Sequence, residues 1–223
     1  MSRYVTPETF RFFSELARHN DRAWFEANKA RYLEQVRDPL LRFVEAFGPG
    51  LARISRHMVA DPRPAGGSLF RIYRDTRFSA DKSPYKTHVG IYFPHKQAGR
   101  DVHAPCFYLH LEPGDCFAGG GLWHPDAPAL RTVRTAIVEW SDAWRLVRRA
   151  GLLEEGDALK SPPRGYDAAH PFIDDLKLKD FVSSTPLTES RVCSPQLIEE
   201  FADVCRRMRP LIRFLTEALG LPF

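Results

Sequence analysis

At 223 residues with a formal net charge of +4, the chain suits one large domain or two small ones. A compact fold of that size buries roughly 70–75% of the surface its unfolded chain exposes, so no disulfide or metal is needed to hold its core. Cys106, Cys116, Cys193 and Cys205 form no CxxC pair and no apolar signal segment precedes the first helical stretch, which predicts free thiols and a reducing, cytoplasmic compartment. No run approaches the roughly eighteen apolar residues a membrane helix needs, so a membrane partner is not expected.

The first sixty residues read as helical. Thr6 followed by Pro7 is an N-cap with proline at the first helical position, and Phe10, Phe13, Leu16 and Ala17 recur at helical spacing. Asn20 and Asp21 punctuate; a second helix carries Trp24, Phe25 and Tyr32, with the two aromatics at 24 and 25 expected in the core. A third helix runs from Asp38 and Pro39 through Leu40, Phe43, Val44 and Phe47, and is expected to stop at Gly48 and Gly50. DPRPAGGS, 61–68, is a loop by composition.

The period then changes to two. Val89, Ile91 and Phe93 read as one strand, Phe107, Leu109 and Leu111 as another, and a segment through Phe117 after the turn EPGD as a third, while Phe70–Phe78, if it is a strand, puts alternate residues on its two faces. Hairpin-length spacing predicts an antiparallel meander. Helix returns from about Asp126 to Gly151, with Leu130, Val133, Ile137 and Val138 on one face. A proline-rich loop and a short segment around Phe181 lead to a last helix starting at Ser194 and Pro195, which Pro210 should kink or interrupt. Helices, strands, helices is an α+β layout: a single domain over 1–223 with a central antiparallel sheet packed by N-terminal and C-terminal helices.

Chemistry concentrates in RIYRDTRFSADKSPYKTH, 71–88. Arg71, Arg74, Arg77, Lys82 and Lys86 stand there against Asp75 and Asp81, a local excess of three positive charges. On a strand, Arg71, Asp75 and Arg77 share one face, which predicts that they converge on one partly buried site where the carboxylate holds a guanidinium and the remaining donors point outward to an anion. Arg74 falls on the other face and needs either a bulge or a partner. Ser79, Asp81 and Ser83 are turn formers, and Tyr85 is a candidate for proton transfer beside the lysines. In the bland alternative, these charges only tie a loop to a sheet.

The run FRIYRDTRFSADKSPYKTH, with GGGLW at 119–123, LKSPPRGYDAAHP at 159–171 and the F-x-x-L-x-x-H-N-D-x-x-W-F element from Phe13 to Phe25, resembles an uncharacterised bacterial and fungal family, domain of unknown function 2461. The resemblance covers nearly the whole chain. It implies an α+β single domain with no assigned activity, substrate or cofactor, and no cofactor is expected here.

Lys160, Arg164, Tyr166, Asp167 and His170 could fold over the first site, or could be a solvated connector. GGGLW could let a backbone approach a ligand, and a hairpin or bulge explains it equally well. His88, His95, His103, His110, His124 and His170 show no HxH, HExxH or HxxxH pair, so no metal is expected. GxSxG, GxxxxGK[ST] and GxGxxG are absent, and turn chemistry explains Ser79 beside Asp81 and Lys82 better than a serine–lysine nucleophile.

Three classes stay open. The first is a phosphate- or carboxylate-binding pocket, as part of an enzyme on a small anionic substrate. The second is a non-catalytic ligand-binding or interaction module whose motif is a salt-bridge network. The third is a nucleic-acid binder, disfavoured because a duplex footprint needs basic residues spread along a face. Ligand contacts are expected at Arg71, Arg74, Asp75, Arg77, Ser79, Asp81, Lys82, Tyr85, Lys86, Lys160 and Arg164.

Overall fold

A computed structural model describes residues 3–98, 103–153 and 156–223. Thr6 opens α1 (Pro7–Arg18), its backbone N–H donating to Thr9 Oγ1 at 3.3 Å. Asp21 caps α2 (Arg22–Tyr32) by accepting from Trp24 N at 2.9 Å. A π-helical turn, Leu33–Arg37, carries the chain directly into α3 (Asp38–Ile54). This last helix does not stop at Gly48 and Gly50: Leu51 and Ile54 continue its buried stripe. Burying two such side chains stabilises by about 1.5–3 kcal/mol each, comparable to what two glycines and Pro49 cost in a helix.

The sheet is an antiparallel meander in the order β1 (Val89–Pro94), β2 (Cys106–Glu112), β3 (Asp115–Leu122), β4 (Phe181–Leu187). The α+β layout read from the sequence is therefore observed, with the short segment around Phe181 supplying the fourth strand. Residues 70–78 do not form a strand: they make only an isolated bridge at Tyr73↔Tyr85, beside the bridge Leu69↔Ile91. Alternation in that run reflects one short arm, 72–74, that pairs with 84–86 rather than a continuous ladder.

Val89, Ile91, Phe93, Phe107, Leu109, Leu111, Cys116 and Ala118 turn one sheet face onto α3 and the last helix, α8 (Leu197–Ala218), in a core shared with Phe12, Phe13, Phe25, Phe43, Phe47 and Phe201. A second cluster gathers Trp144, Phe181 and Leu176 with Leu211 and Leu215 of α8. The predicted helix 126–151, which contributes to this second cluster, is two: α4 (Ala127–Glu139) and α5 (Ser141–Arg149), broken at Trp140. The chain then passes α6 (Ile173–Lys177) to β4 and α7 (Glu189–Val192). Pro210 lies inside α8 without ending it, at an exposed position one turn after Arg206, an exposed residue whose carbonyl loses its amide partner. Phe25 is buried and Trp24 partly so, packed on Phe12 and His19. Among the described residues no helix is long and apolar enough to cross a membrane.

GGGLW serves the fold itself. Gly121 sits at φ +143°, and a Cβ there would lie 2.1 Å from the Phe181 carbonyl oxygen; one on Gly120 would lie 3.1 Å from Ile212 of α8. The glycines let β4 and α8 close onto β3.

Candidate functional site

The motif folds as two arms with an exposed tip. Arg74 N donates to Pro84 O at 2.9 Å and Lys86 N to Ile72 O at 2.7 Å, so residues 72–74 and 84–86 run antiparallel. Ile72 and Tyr85 turn inward, and Tyr85 stacks on Phe25 of α2 at 4.1 Å. Asn20, just before α2, clamps the arm from behind: its amide donates to Tyr85 O at 3.0 Å and accepts from Tyr85 N at 3.1 Å. The H-N-D element of the N-terminus and the central motif are thus one structural unit.

Tip residues satisfy one another. Arg77 makes a bidentate pair with Asp75 (3.0 and 2.6 Å), which holds the carboxyl down at about 2, yet the Arg77 side chain is 76% exposed. Lys82 donates to Thr76 O at 2.9 Å. Asp81 accepts from the Ser83 hydroxyl at 2.6 Å and pairs with Arg74, and these two contacts hold its carboxyl well below the usual range. Arg71 is exposed and takes part in no hydrogen bond or ion pair among the described residues. The expected convergence of Arg71, Asp75 and Arg77 on a partly buried site is thus not what the fold builds. Arg74, the residue out of phase, is the inward one. Phe78 is 95% exposed and lies against Arg77.

A cleft of about 340 Å³ opens beneath the tip, lined by Asn20, Arg74, Asp81, Ser83, Lys86 and His88 among others. Lys86 is half-buried, its Nζ 5.1 Å from the Phe70 ring centroid, and among the described residues no carboxylate pairs with it. Burial, then the charge of Arg71, lowers its pKa. His88 is likewise pushed down, first by burial and next by His110. Ser79 stays on the tip outside this lining.

Beyond His88 the open face of the sheet continues the polar wall. His110 and Glu112 alternate on one face of β2, and the register sets Gly90 of β1 opposite His110. The His88 and His110 rings are 4.7 Å apart, His110 Nε2 lies 3.3 Å from Glu112 Oε2, and Tyr108 Oη lies 3.1 Å from His110 Nδ1. Thr87 Oγ1 donates to Glu112 Oε1 at 3.2 Å. Asn20, Thr87, His88, His110 and Glu112 were not among the sequence-derived ligand residues. Spacing along the chain misses them, although H-x-E at 110–112 is a same-face strand pair that could have flagged two of them.

Lys160 and Arg164 are exposed. Their loop is fastened elsewhere, with Tyr166 Oη 3.4 Å from Thr135 Oγ1 of α4 and Leu159 N donating to Lys177 O of α6. None of its described contacts reaches the cleft.

Residues 8–214 match the family described as conserved hypothetical protein (DUF2461). The chain belongs to that family. The match spans the N-terminal helices, the motif arms, the sheet and most of α8, so the family's extent includes every wall of the cleft. No curated protein matches the chain.

Proposed function

We propose that the cleft under the 75–83 tip binds a small anion, a phosphate or carboxylate group of a larger molecule, in a reducing, cytoplasmic setting consistent with four free cysteines. The observation that carries this reading is Lys86: a half-buried ammonium with a second cation, Arg71, as its electrostatic neighbour and no carboxylate partner among the described residues. A bound anion would relieve that arrangement, and each charge-assisted hydrogen bond contributes about 1.5–3 kcal/mol. Arg74 offers further donors, held in orientation by Asp81, and Ser83 and Asn20 add polar atoms to the wall. Of the eleven sequence-derived residues, Arg74, Asp81, Tyr85 and Lys86 line the cleft.

For the tip the network alternative has its own support, because Asp75, Arg77 and Lys82 are satisfied among themselves or by backbone. Thermal shift in inorganic phosphate, pyrophosphate and succinate tests the reading. The melting temperature of the wild type should rise with the logarithm of anion concentration, Lys86→Met and Arg74→Gln should abolish the rise, and Arg77→Ala should keep it. No shift with any of the three anions, or a shift indifferent to Lys86→Met, would refute the pocket. Tight, steeply salt-dependent binding to random-sequence DNA or RNA without an anion shift would replace it with a nucleic-acid surface.

A further inference from the structure

We propose that His88, His110 and Glu112 form a binding site for one divalent transition-metal ion of the zinc or ferrous class, on the open sheet face at the edge of the cleft. One nitrogen or oxygen from each residue lies within 4.8 Å of the others. His110 Nε2 and Glu112 Oε2 are already 3.3 Å apart, close to the roughly 3.4 Å that separates two ligands on a tetrahedral ion with bonds of about 2.1 Å. A small swing of the half-buried His88 ring completes the set.

The surroundings select the ligating atoms. Tyr108 Oη, 3.1 Å from His110 Nδ1, can accept the Nδ1 proton, which leaves the Nε2 lone pair directed at Glu112. Thr87 donates to Glu112 Oε1 and leaves Oε2 for the ion. The His110 ring is held flat against Phe117 at 4.8 Å and 10°. Gly90 makes the packing feasible, since a Cβ there would sit 2.6 Å from Tyr108 Oη and 2.8 Å from Phe70. His110 and Glu112 thus each have a neighbour that orients them, which an incidental histidine–glutamate contact does not require.

Two imidazoles and one carboxylate suit borderline cations and leave coordination positions open. His88 also lines the cleft, so an open position faces the space that Arg74 and Lys86 border. Those two cations oppose a bare metal ion and favour an anionic group as its remaining ligand. The chemical class that follows is an anion bound to metal on one side and to Arg74 and Lys86 on the other. The metal site itself does not depend on the anion reading.

Full-length protein, stripped with a chelator and titrated with Co²⁺ in an anion-poor buffer, should take up one equivalent with visible bands of a four- or five-coordinate ion, and Zn²⁺ should displace it. His110→Ala, His88→Gln and Glu112→Gln should each weaken binding at least tenfold, and Tyr108→Phe about tenfold. His124→Ala, remote from the cluster, should bind as wild type does. Circular dichroism reports folding, and if His110→Ala does not fold, the two glutamine variants carry the test. Absence of stoichiometric Co²⁺ binding, or binding unchanged in His88→Gln and Glu112→Gln, would overturn the site. Lys86→Met should keep the cobalt spectrum while losing the phosphate shift, so the two readings fail separately.

Discussion

Asn20 and Asp75 show how little the formal character of a residue says about its weight. Asp75 binds its arginine with two short hydrogen bonds, but both partners stand in solvent, where such pairs gain little over hydration and side-chain entropy. Asn20 is neutral and short, yet it occupies both backbone groups of Tyr85 and so locks the motif to α2. In urea denaturation, Asn20→Ala should lose about 1–2 kcal/mol, because a partly buried N–H and C=O lose their partners. Asp75→Ala should leave the midpoint within the range of ordinary surface changes, contrary to the expectation that it holds a buried guanidinium. The reverse order would mean that the tip braces the fold. At this scale the sequence singled out the stretch whose arms border the cleft, with Arg74 flagged as out of phase. It was silent on Lys86's isolation and on His88 meeting His110, since both depend on what crosses from another strand.

Among the elements, the β3–β4 seam is the most demanding. A side chain on Gly121 would need a positive φ that L residues avoid and would drive its Cβ into the Phe181 carbonyl. Gly121→Ala should therefore cost about 3 kcal/mol or more, or fail to fold. Gly114, at φ +80° with nothing within 4 Å of a Cβ, provides the comparison: Gly114→Ala should cost only the backbone strain, about 1–2 kcal/mol. Equal losses in thermal or urea melts would show that the strands can spread. Helix identity was legible from apolar spacing, but helix ends were not. Gly48 and Gly50 gave a stop signal that the burial of Leu51 and Ile54 overrides, and Trp140 split one predicted helix into two without a proline or glycine to announce it. The run 70–78 alternated like a strand because its one arm has an inward side at Ile72 and outward neighbours; only its single bridge to Tyr85 shows that no ladder forms.

Across the whole molecule, α8 joins two hydrophobic clusters, with Ile212 in one and Leu211 in the next. The second cluster contains a buried carboxylate: Asp175 accepts from the Trp144 indole at 2.7 Å, with Arg148 Nε 3.5 Å away. Burial raises its pKa despite those partners. The folded state therefore holds the Asp175 proton at pH values where the unfolded chain, with its ordinary aspartate pKa near 3.9, has released it. Stability from this group is present below the unfolded value and is lost as pH rises through the raised folded one. Asp175→Asn keeps an acceptor for the indole and removes the titration, so the decline in wild-type stability across that window, measured by urea midpoints at successive pH values, should flatten in the variant. An unchanged pH profile would place the titration elsewhere.

The helices-strands-helices layout, the change from helical to alternating period, the antiparallel meander and the concentration of charge at 71–88 were determined by the chain's own local chemistry: apolar spacing, turn residues and hairpin-length connections act between near neighbours. Which charges face inward was not. Of the five cations in one stretch the sequence set only Arg74 apart, and tertiary structure divided them, turning Arg74 and Lys86 to the cleft and leaving Arg77 and Lys82 to the tip's own acceptors. It also brought His88 beside His110 and Glu112, whose proximity is set by β-sheet register. Register is a long-range choice made by burying the opposite face, Val89, Ile91, Leu109 and Leu111, and the polar residues opposite follow from it.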